Sequence, residues 1–328
     1  MKSTIQVKFL MQACLMATLG LIGCTEKTAT VTDTAPAAST NTTQTDAAPV
    51  VTTPAVVDTV KKQLTGSKQQ YTQTEIDNYY GAPDWFPDQH SPMPKLVSNG
   101  DGGKVMACAS CHLASGLGHP ESANLAGLPV NYLVRQMQEY RSRTRFEPSP
   151  MYTMAGAMSD AQILEVSQWF AGLKPVQSSQ VKEVDTVPKT AIHPTLQMRQ
   201  VVEGGGTEPI NGRLIEVPAD AERVAMRDPR MGFIAYVPRG SIALGKTLVT
   251  TGGGKTVMCA SCHGADLKGT AEIPRLAGLS PDYIVRQLTQ FKNAQRHGAQ
   301  APLMAPALGQ MTPQDMIAVG AYLGSLKP

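Results

Sequence analysis

The chain has 328 residues, of which 42% are hydrophobic and 17% charged, and a formal net charge of +3. That length suits about two domains, and that composition excludes an intrinsically disordered or membrane-embedded chain. The first 23 residues hold Lys2 and Lys8 and no acid, so a processed chain is near +1, which excludes a strongly basic nucleic-acid binder. Aromatic residues are only 5%, so the cores are small or something other than protein fills them.

Lys2 and Lys8 precede an apolar stretch from Phe9 to Gly20. This is the charged start and short hydrophobic region of an export signal, too short and too interrupted by Gln12 and Thr18 to be a spanning helix. It ends in Leu21-Ile22-Gly23-Cys24, which resembles the bacterial lipobox. The resemblance implies cleavage before Cys24 and a diacylglycerol on its thiol. Thr25 follows rather than Asp, which by resemblance to Gram-negative sorting rules implies the outer membrane. From Thr25 to Gln63 there is no Leu, Ile, Met, Gly or aromatic residue, so the stretch is expected to be a disordered spacer. No later segment is long and apolar enough to span a bilayer.

The rest of the chain contains one unit twice. Cys108-Ala-Ser-Cys111-His112 and Cys259-Ala-Ser-Cys262-His263 lie 151 positions apart. The same offset superposes Leu125-Ala-Gly-Leu128 on Leu276-Ala-Gly-Leu279, and Tyr132-Leu-Val-Arg-Gln136 on Tyr283-Ile-Val-Arg-Gln287. With an offset of 153, Met158 meets Met311 and the closing Leu173-Lys-Pro175 meets Leu326-Lys-Pro328. Pro129 and Pro281 mark helix starts, and Ser280 is a good cap. Ser159 with Gln162, and Thr312 before Pro313, open the last helix of each copy. Ile163, Val166 and Phe170 recur at helical spacing, and Trp169 and Tyr322 occupy matching places. No alternating strands appear within either copy. The joint between them is rich in Pro, Gly and charge, with a short hairpin expected near Arg213 to Val217.

Cysteines at i and i+3 share one face of a helical turn, where they can reach both vinyl groups along one porphyrin edge; the following His then faces the iron. Cys-x-x-Cys-His is the c-type haem attachment pattern, here with Cys108, Cys111, Cys259 and Cys262 as thioether donors and His112 and His263 as iron ligands. Structural zinc on the four cysteines is possible by residue type, but leaves both adjacent histidines unexplained. A redox dithiol needs a βαβ setting that is absent. A second axial ligand should recur in both copies. Met151 and Met304 do, each seven residues before the matched Met158 and Met311, in what read as irregular stretches. Met154, Met158 and Met311 read as core, and His90, His119, His193 and His297 have no counterpart in the other copy. Two basic positions also repeat, Arg135 with Arg286 and Arg145 with Arg296; each pair suits either a haem propionate or a solvated helix face. Tyr132 and Tyr283 suit a propionate or the core.

On these motifs the sequence resembles two class I cytochrome c domains in tandem, similar to the periplasmic di-haem family called cytochrome c-four, over residues 80–328. The resemblance implies helices wrapped around each haem, with Gly245 and Leu248 on a first helix crossing the last one near Tyr322. In the first copy Pro94 stands where Gly245 does, with Pro92 nearby, so that helix is expected to be short or displaced. In the family a proline carbonyl at the place of Pro274 accepts the proximal histidine's Nδ1–H; Ala123 stands there in the first copy, and any residue has a carbonyl to offer. The fold expected is all-α, two class I cytochrome c domains joined by a long irregular segment. The expected organisation is a lipoprotein signal peptide over 1–23, a disordered tether over 24–75, cytochrome c domains over 76–175 and 237–328, and an interdomain segment over 176–236.

Ligands on both iron faces leave no open site for substrate. The expected protein is therefore not an enzyme, and no catalytic residue is assigned. The expectation is a carrier of one electron per haem c, tethered in the periplasm by its lipid to the outer membrane, between a quinol-oxidising complex or dehydrogenase and a terminal oxidase or reductase. A haem subunit of a dehydrogenase complex and a di-haem peroxidase are the alternatives; the second needs a vacant iron position. Residues 241–328 hold eight basic and four acidic residues, against seven and eight over 81–175, so the second domain is expected to dock an acidic partner.

Overall fold

The computed structural model describes residues 58–328 except Pro148 and Thr195. The signal peptide, Cys24 and the tether up to residue 57 lie outside the described residues. No helix among the described residues is long and apolar enough to cross a membrane.

The first unit carries α1 (Gln73–Asp77), α2 (Lys95–Ser98), α3 (Ala109–His112), α4 (Val130–Arg141), α5 (Met151–Ala157) and α6 (Asp160–Ala171). The second carries α8 (Ser241–Thr251), α9 (Ala260–His263), α10 (Pro281–Lys292), α11 (Ala305–Leu308) and α12 (Pro313–Ser325). The caps set these boundaries. Ser159 and Gln162 form a reciprocal capping box on α6, and Thr312 and Asp315 form one on α12. The Ser280 hydroxyl accepts from the Tyr283 amide, and Pro281 takes the first helical position, where its missing N–H costs nothing. Each such cap stabilises its helix by about 1 kcal/mol.

The two cores use equivalent positions. Leu128, Leu133, Met158, Ile163, Val166 and Phe170 are buried in the first unit. Leu279, Ile284, Met311, Met316, Val319 and Leu323 fill the same places in the second. The units diverge at their first helix. In the second, α8 runs for 11 residues and crosses α12 with Gly245 at the contact; a Cβ there would stand 1.9 Å from the Ala318 carbonyl oxygen and 2.9 Å from Tyr322 Cβ. In the first, Pro94 caps a four-residue α2. Prolines at 92 and 94 supply no backbone donors to an earlier turn, so the helix starts late, as the sequence indicated.

The joint departs from the irregular segment expected of it. It folds into β1 (Ser179–Val184), β2 (Thr186–Pro188), β3 (Thr190–Ile192), β4 (Arg199–Val201), β5 (Thr207–Pro209), β6 (Ile215–Pro218), α7 (Ala221–Ala225) and β7 (Phe233–Pro238). The central β7 pairs parallel with β1 and antiparallel with β6, while β2 with β5 and β3 with β4 form two small ladders. The expected hairpin near Arg213 is therefore strand β6, whose partner follows after α7 rather than across a tight turn. Along β7 burial alternates, with Phe233, Ala235 and Val237 inward. Residues placed by sequence in the tether are also structured: Lys62 and Tyr71 exchange backbone hydrogen bonds, and Leu64 packs in a small core with Ile76, Trp85 and Phe86 of the first domain.

Glu216 on β6 fastens the joint to the second unit. Its buried carboxylate accepts from the hydroxyls of Ser179 and Ser280 and, at 3.0 Å, from the Asp282 amide at the start of α10. Burial, outweighing these hydrogen bonds, pushes its pKa up to about 7 from an ordinary 4.5. Between those values the folded chain holds a proton that the unfolded chain releases, so stability is greatest below the lower value and declines as pH rises to the upper one. Glu216→Gln removes this decline, which denaturant midpoints at about pH 5 and about pH 8 will show as a smaller difference than in the parent. Gly245→Ala overpacks the α8–α12 crossing and should destabilise the second unit by about 2 kcal/mol despite its better helix propensity, read by urea unfolding.

Candidate functional site

Each Cys-x-x-Cys-His motif forms one helical turn. Cys108 caps α3 and Cys259 caps α9, both already in right-handed helical geometry, and His112 and His263 end those turns. None of the four motif cysteines is in a disulfide. Burial pushes the Cys108 thiol up to about 12 and the Cys259 thiol to about 11. No three His, Cys, Asp or Glu side chains converge on a metal-sized site among the described residues. The zinc alternative therefore has no site here.

Both imidazoles are oriented in the same way. His112 Nδ1 lies 2.9 Å from the Ala123 carbonyl oxygen, and His263 Nδ1 lies 2.8 Å from that of Pro274. A carbonyl can only accept, so Nδ1 carries the proton and Nε2 keeps its lone pair for a metal. The replacement of proline by Ala123 costs nothing in this respect. Burial lowers both pKa values and keeps the rings neutral. The donor set thus fits covalent haem.

Met151 is the first residue of α5 and packs half-buried against the first core, beside buried Met154 and Met158. Met304 ends a 3-10 turn, Ala301–Met304, and is also half-buried. Both sit on helical turns rather than in the irregular stretches expected. His90 is packed, with Nε2 3.1 Å from Asp84 and its ring edge-on to Trp169.

The repeated arginines meet where the two units join. Arg145 and Arg296 form an antiparallel backbone bridge. Arg145 donates to Gln136 Oε1 at 3.0 Å and to Gln287 Oε1 at 2.9 Å; Arg296 donates to the same two oxygens at 2.6 and 2.9 Å. Gln136 and Gln287 are themselves repeat partners, so the four side chains form a ring about a local twofold axis. All four are buried. Arg135 and Arg286 also face across the junction: Arg135 donates to the Glu272 carbonyl and Arg286 to the Glu121 carbonyl, each at 3.1 Å. Neither pair is a solvated helix face. Asn124 and Arg275, again 151 positions apart, share a 2.8 Å hydrogen bond.

The ring is short of negative charge. One carboxylate, Glu147, approaches Arg145 at 3.8 Å, and the Nε atoms of Arg145 and Arg296 are buried without a partner. Two buried cations with orphaned donors are costly unless an anion is supplied, which fits the carboxylates that haem carries. Tyr132 is buried in the first core and Tyr283 packs against the second, with the guanidinium of Arg135 5.7 Å and that of Arg286 5.6 Å from their ring centres. The sequence had marked the arginines as repeated; the glutamines lay in the same matched segments, but nothing in them announced that they join the halves.

Two helical units, each opening on a Cys-x-x-Cys-His turn with a fixed imidazole tautomer, define a di-haem c-type protein. Known proteins agree. The family model for cytochrome c matches residues 242–327. Cytochrome c-554(547) of Halothiobacillus neapolitanus is 35% identical over 96 residues, covering 27% of this chain and 99% of that protein. Cytochrome c4 of Azotobacter vinelandii is 23% identical over 237 residues, 68% of this chain and 86% of its own. A thiosulfate dehydrogenase electron acceptor of Thiomonas intermedia (strain K12) is 27% identical over 226 residues, 68% of this chain and 79% of its own. The chain belongs to the cytochrome c family, with two cytochrome c domains in tandem and covalently bound haem c in each.

Gln136→Leu strips two charged donors of their shared acceptor and should cost about 3 kcal/mol, with a matching loss for Gln287→Leu, measured as a drop in the urea midpoint.

Proposed function

We propose that this chain is a one-electron carrier of the periplasm, tethered through lipid on Cys24 to the outer membrane. Cys108 and Cys111 hold one haem and Cys259 and Cys262 the other. His112 with Met151 would ligate one iron, and His263 with Met304 the other. The supporting observation is the repetition of the whole arrangement: both copies present the turn, the carbonyl-anchored imidazole and a methionine at the corresponding place. Bound haem c supplies reversible one-electron chemistry. The protein's part is to exclude water from the iron, hold each imidazole tautomer through Ala123 or Pro274, and neutralise haem carboxylates with Arg145 and Arg296. With both iron faces taken by side chains there is no place for substrate, which speaks against a peroxidase.

The partners on this reading are a quinol-oxidising complex or a dehydrogenase on one side and a terminal oxidase or reductase on the other. The Thiomonas relative's designation as an electron acceptor of thiosulfate dehydrogenase supports a dehydrogenase as donor. It also favours a second reading, a stably bound haem subunit of such a complex; co-purification with a dehydrogenase at unit stoichiometry identifies that case.

Protein expressed in the periplasm should give two haems per chain by the pyridine haemochrome assay. Cys108→Ala with Cys111→Ala should leave one. Met151→Ala and Met304→Ala should each abolish part of the weak near-red thioether-to-iron band of the oxidised protein and lower one reduction potential. An unchanged band in either methionine variant overturns that ligand assignment.

A further inference from the structure

The two attachment turns are equivalent in sequence and unequal in exposure. Ala107, Cys108, Ala109 and Ser110 are buried, whereas their counterparts Met258 and Ser261 are exposed and Cys259 and Ala260 only half-buried. Cys111 is half-buried and Cys262 exposed. Val257 and Met258, just before the second motif, are each 47% exposed, and Leu303, just before Met304, is 70% exposed.

The chain itself makes the difference. Over the first motif, the Tyr79 carbonyl accepts from the Ala107 amide at 2.8 Å and from the Ser110 hydroxyl at 3.1 Å. From the joint, Arg227 donates to the Ser110 carbonyl at 3.0 Å, and its guanidinium lies 4.9 Å from the centre of the Tyr79 ring. Arg227 holds a left-handed backbone (φ 49°), a conformation that costs a non-glycine residue about 1 kcal/mol and that tertiary contacts must maintain. Neighbouring bonds clamp the same loop down: Trp85 Nε1 to the Met226 carbonyl, and the Ser115 hydroxyl to that of Pro229. Among the described residues no such cover lies over the second motif, where the stretch 253–255 and residues 257, 258, 261 and 262 are all exposed.

Resting on the haem assignment above, we propose that the carrier has a single port. The segment around Tyr79 and Trp85 and the 226–230 loop close the first motif to partners, and the bare rim of the second motif, around Val257, Met258 and Leu303, docks an acidic electron-transfer protein through which both haems fill and empty. Charge selects the partner's sign: Lys246, Lys255 and Lys268 are exposed between residues 241 and 270 against one exposed acid, Asp266, and although Lys255 pairs with Asp315 at 3.0 Å and Lys268 donates to the Pro328 oxygen at 3.1 Å, the stretch stays net positive. Apolar side chains flanked in sequence by lysines suit a transient, electrostatically steered interface.

The test uses the holoprotein and plastocyanin, an acidic copper protein too bulky to enter a crevice. The fully reduced protein passes one electron at a time to Cu(II), its ferrous iron becoming ferric as copper becomes Cu(I). Val257→Glu and Lys268→Glu should slow both electrons together by about tenfold at low salt, while Lys104→Glu, beside the covered motif, leaves both rates unchanged. Carbodiimide cross-linking of the unmodified protein to plastocyanin should join Lys246, Lys255 or Lys268. One electron keeping its parental rate in the Val257→Glu variant, an equal slowing by Lys104→Glu, or cross-links at Lys95 or Lys104 overturns the proposal. Haem content and the near-red band are measured on every variant; their loss in the parent protein would instead overturn the haem assignment.

Discussion

The junction between the halves rests on a shared hydrogen-bond ring. Two guanidiniums meet in the interior with only the side-chain oxygens of Gln136 and Gln287 between them. Coulomb repulsion of such a pair is severe away from water, and the glutamine dipoles offset only part of it. The arrangement makes sense as half of a charge system whose other half arrives with the prosthetic groups. On the proposed reading, in which haem carboxylates meet the orphaned Nε atoms, folding of the junction and loading of the haems would be thermodynamically linked. This also explains why small units with few aromatic residues hold together: their interiors are shaped around material that the polypeptide does not encode.

Duplication gave the halves the same interior and let their outer surfaces diverge. The equivalence of Ile163 with Met316 and of Phe170 with Leu323 keeps the last helix of each unit seated in the same way. The first helices did not stay equivalent. Prolines shortened α2, and the space around the first unit is occupied instead by the Trp85 cluster and the joint, through Leu113, Leu117, Met231 and Phe233. The second unit kept the full α8, and among the described residues nothing covers its attachment turn in the same way. A pair of equal modules has in this way become an enclosed one and an open one.

Much of this was legible in the amino-acid order. Local chemistry announces itself: Ser159 with Gln162 and Pro281 after Ser280 are short-range signals, whereas the glycine that α8 needs where it crosses α12 came from the family resemblance. The attachment turns are too, because their geometry is set within five residues. The joint was not legible, since β1 finds its partner β7 more than fifty residues later and its Ser-Gln-Val-Lys-Glu-Val sequence has little hydrophobic contrast. Nor was the cover over Cys108. Arg227 reads as one more charge in a charged stretch, and only the folded chain turns it inward. The repeated arginines carried a signal of position but not of depth: an arginine on an amphipathic helix looks the same whether its far side meets water or another helix.

The Asn124–Arg275 contact has a consequence for assembly. These residues occupy the same place in the two copies and meet each other across the axis. Two second units brought together in this manner would set Arg275 against Arg275, with no carbonyl side chain to receive either. Two first units would set asparagine against asparagine and lose the anchor that Arg275 throws to the Ala126 and Ala277 carbonyls. The junction therefore discriminates between self and other: it accepts one half of each kind, and a molecule cut between its modules is expected to re-form the mixed pair in preference to either matched one.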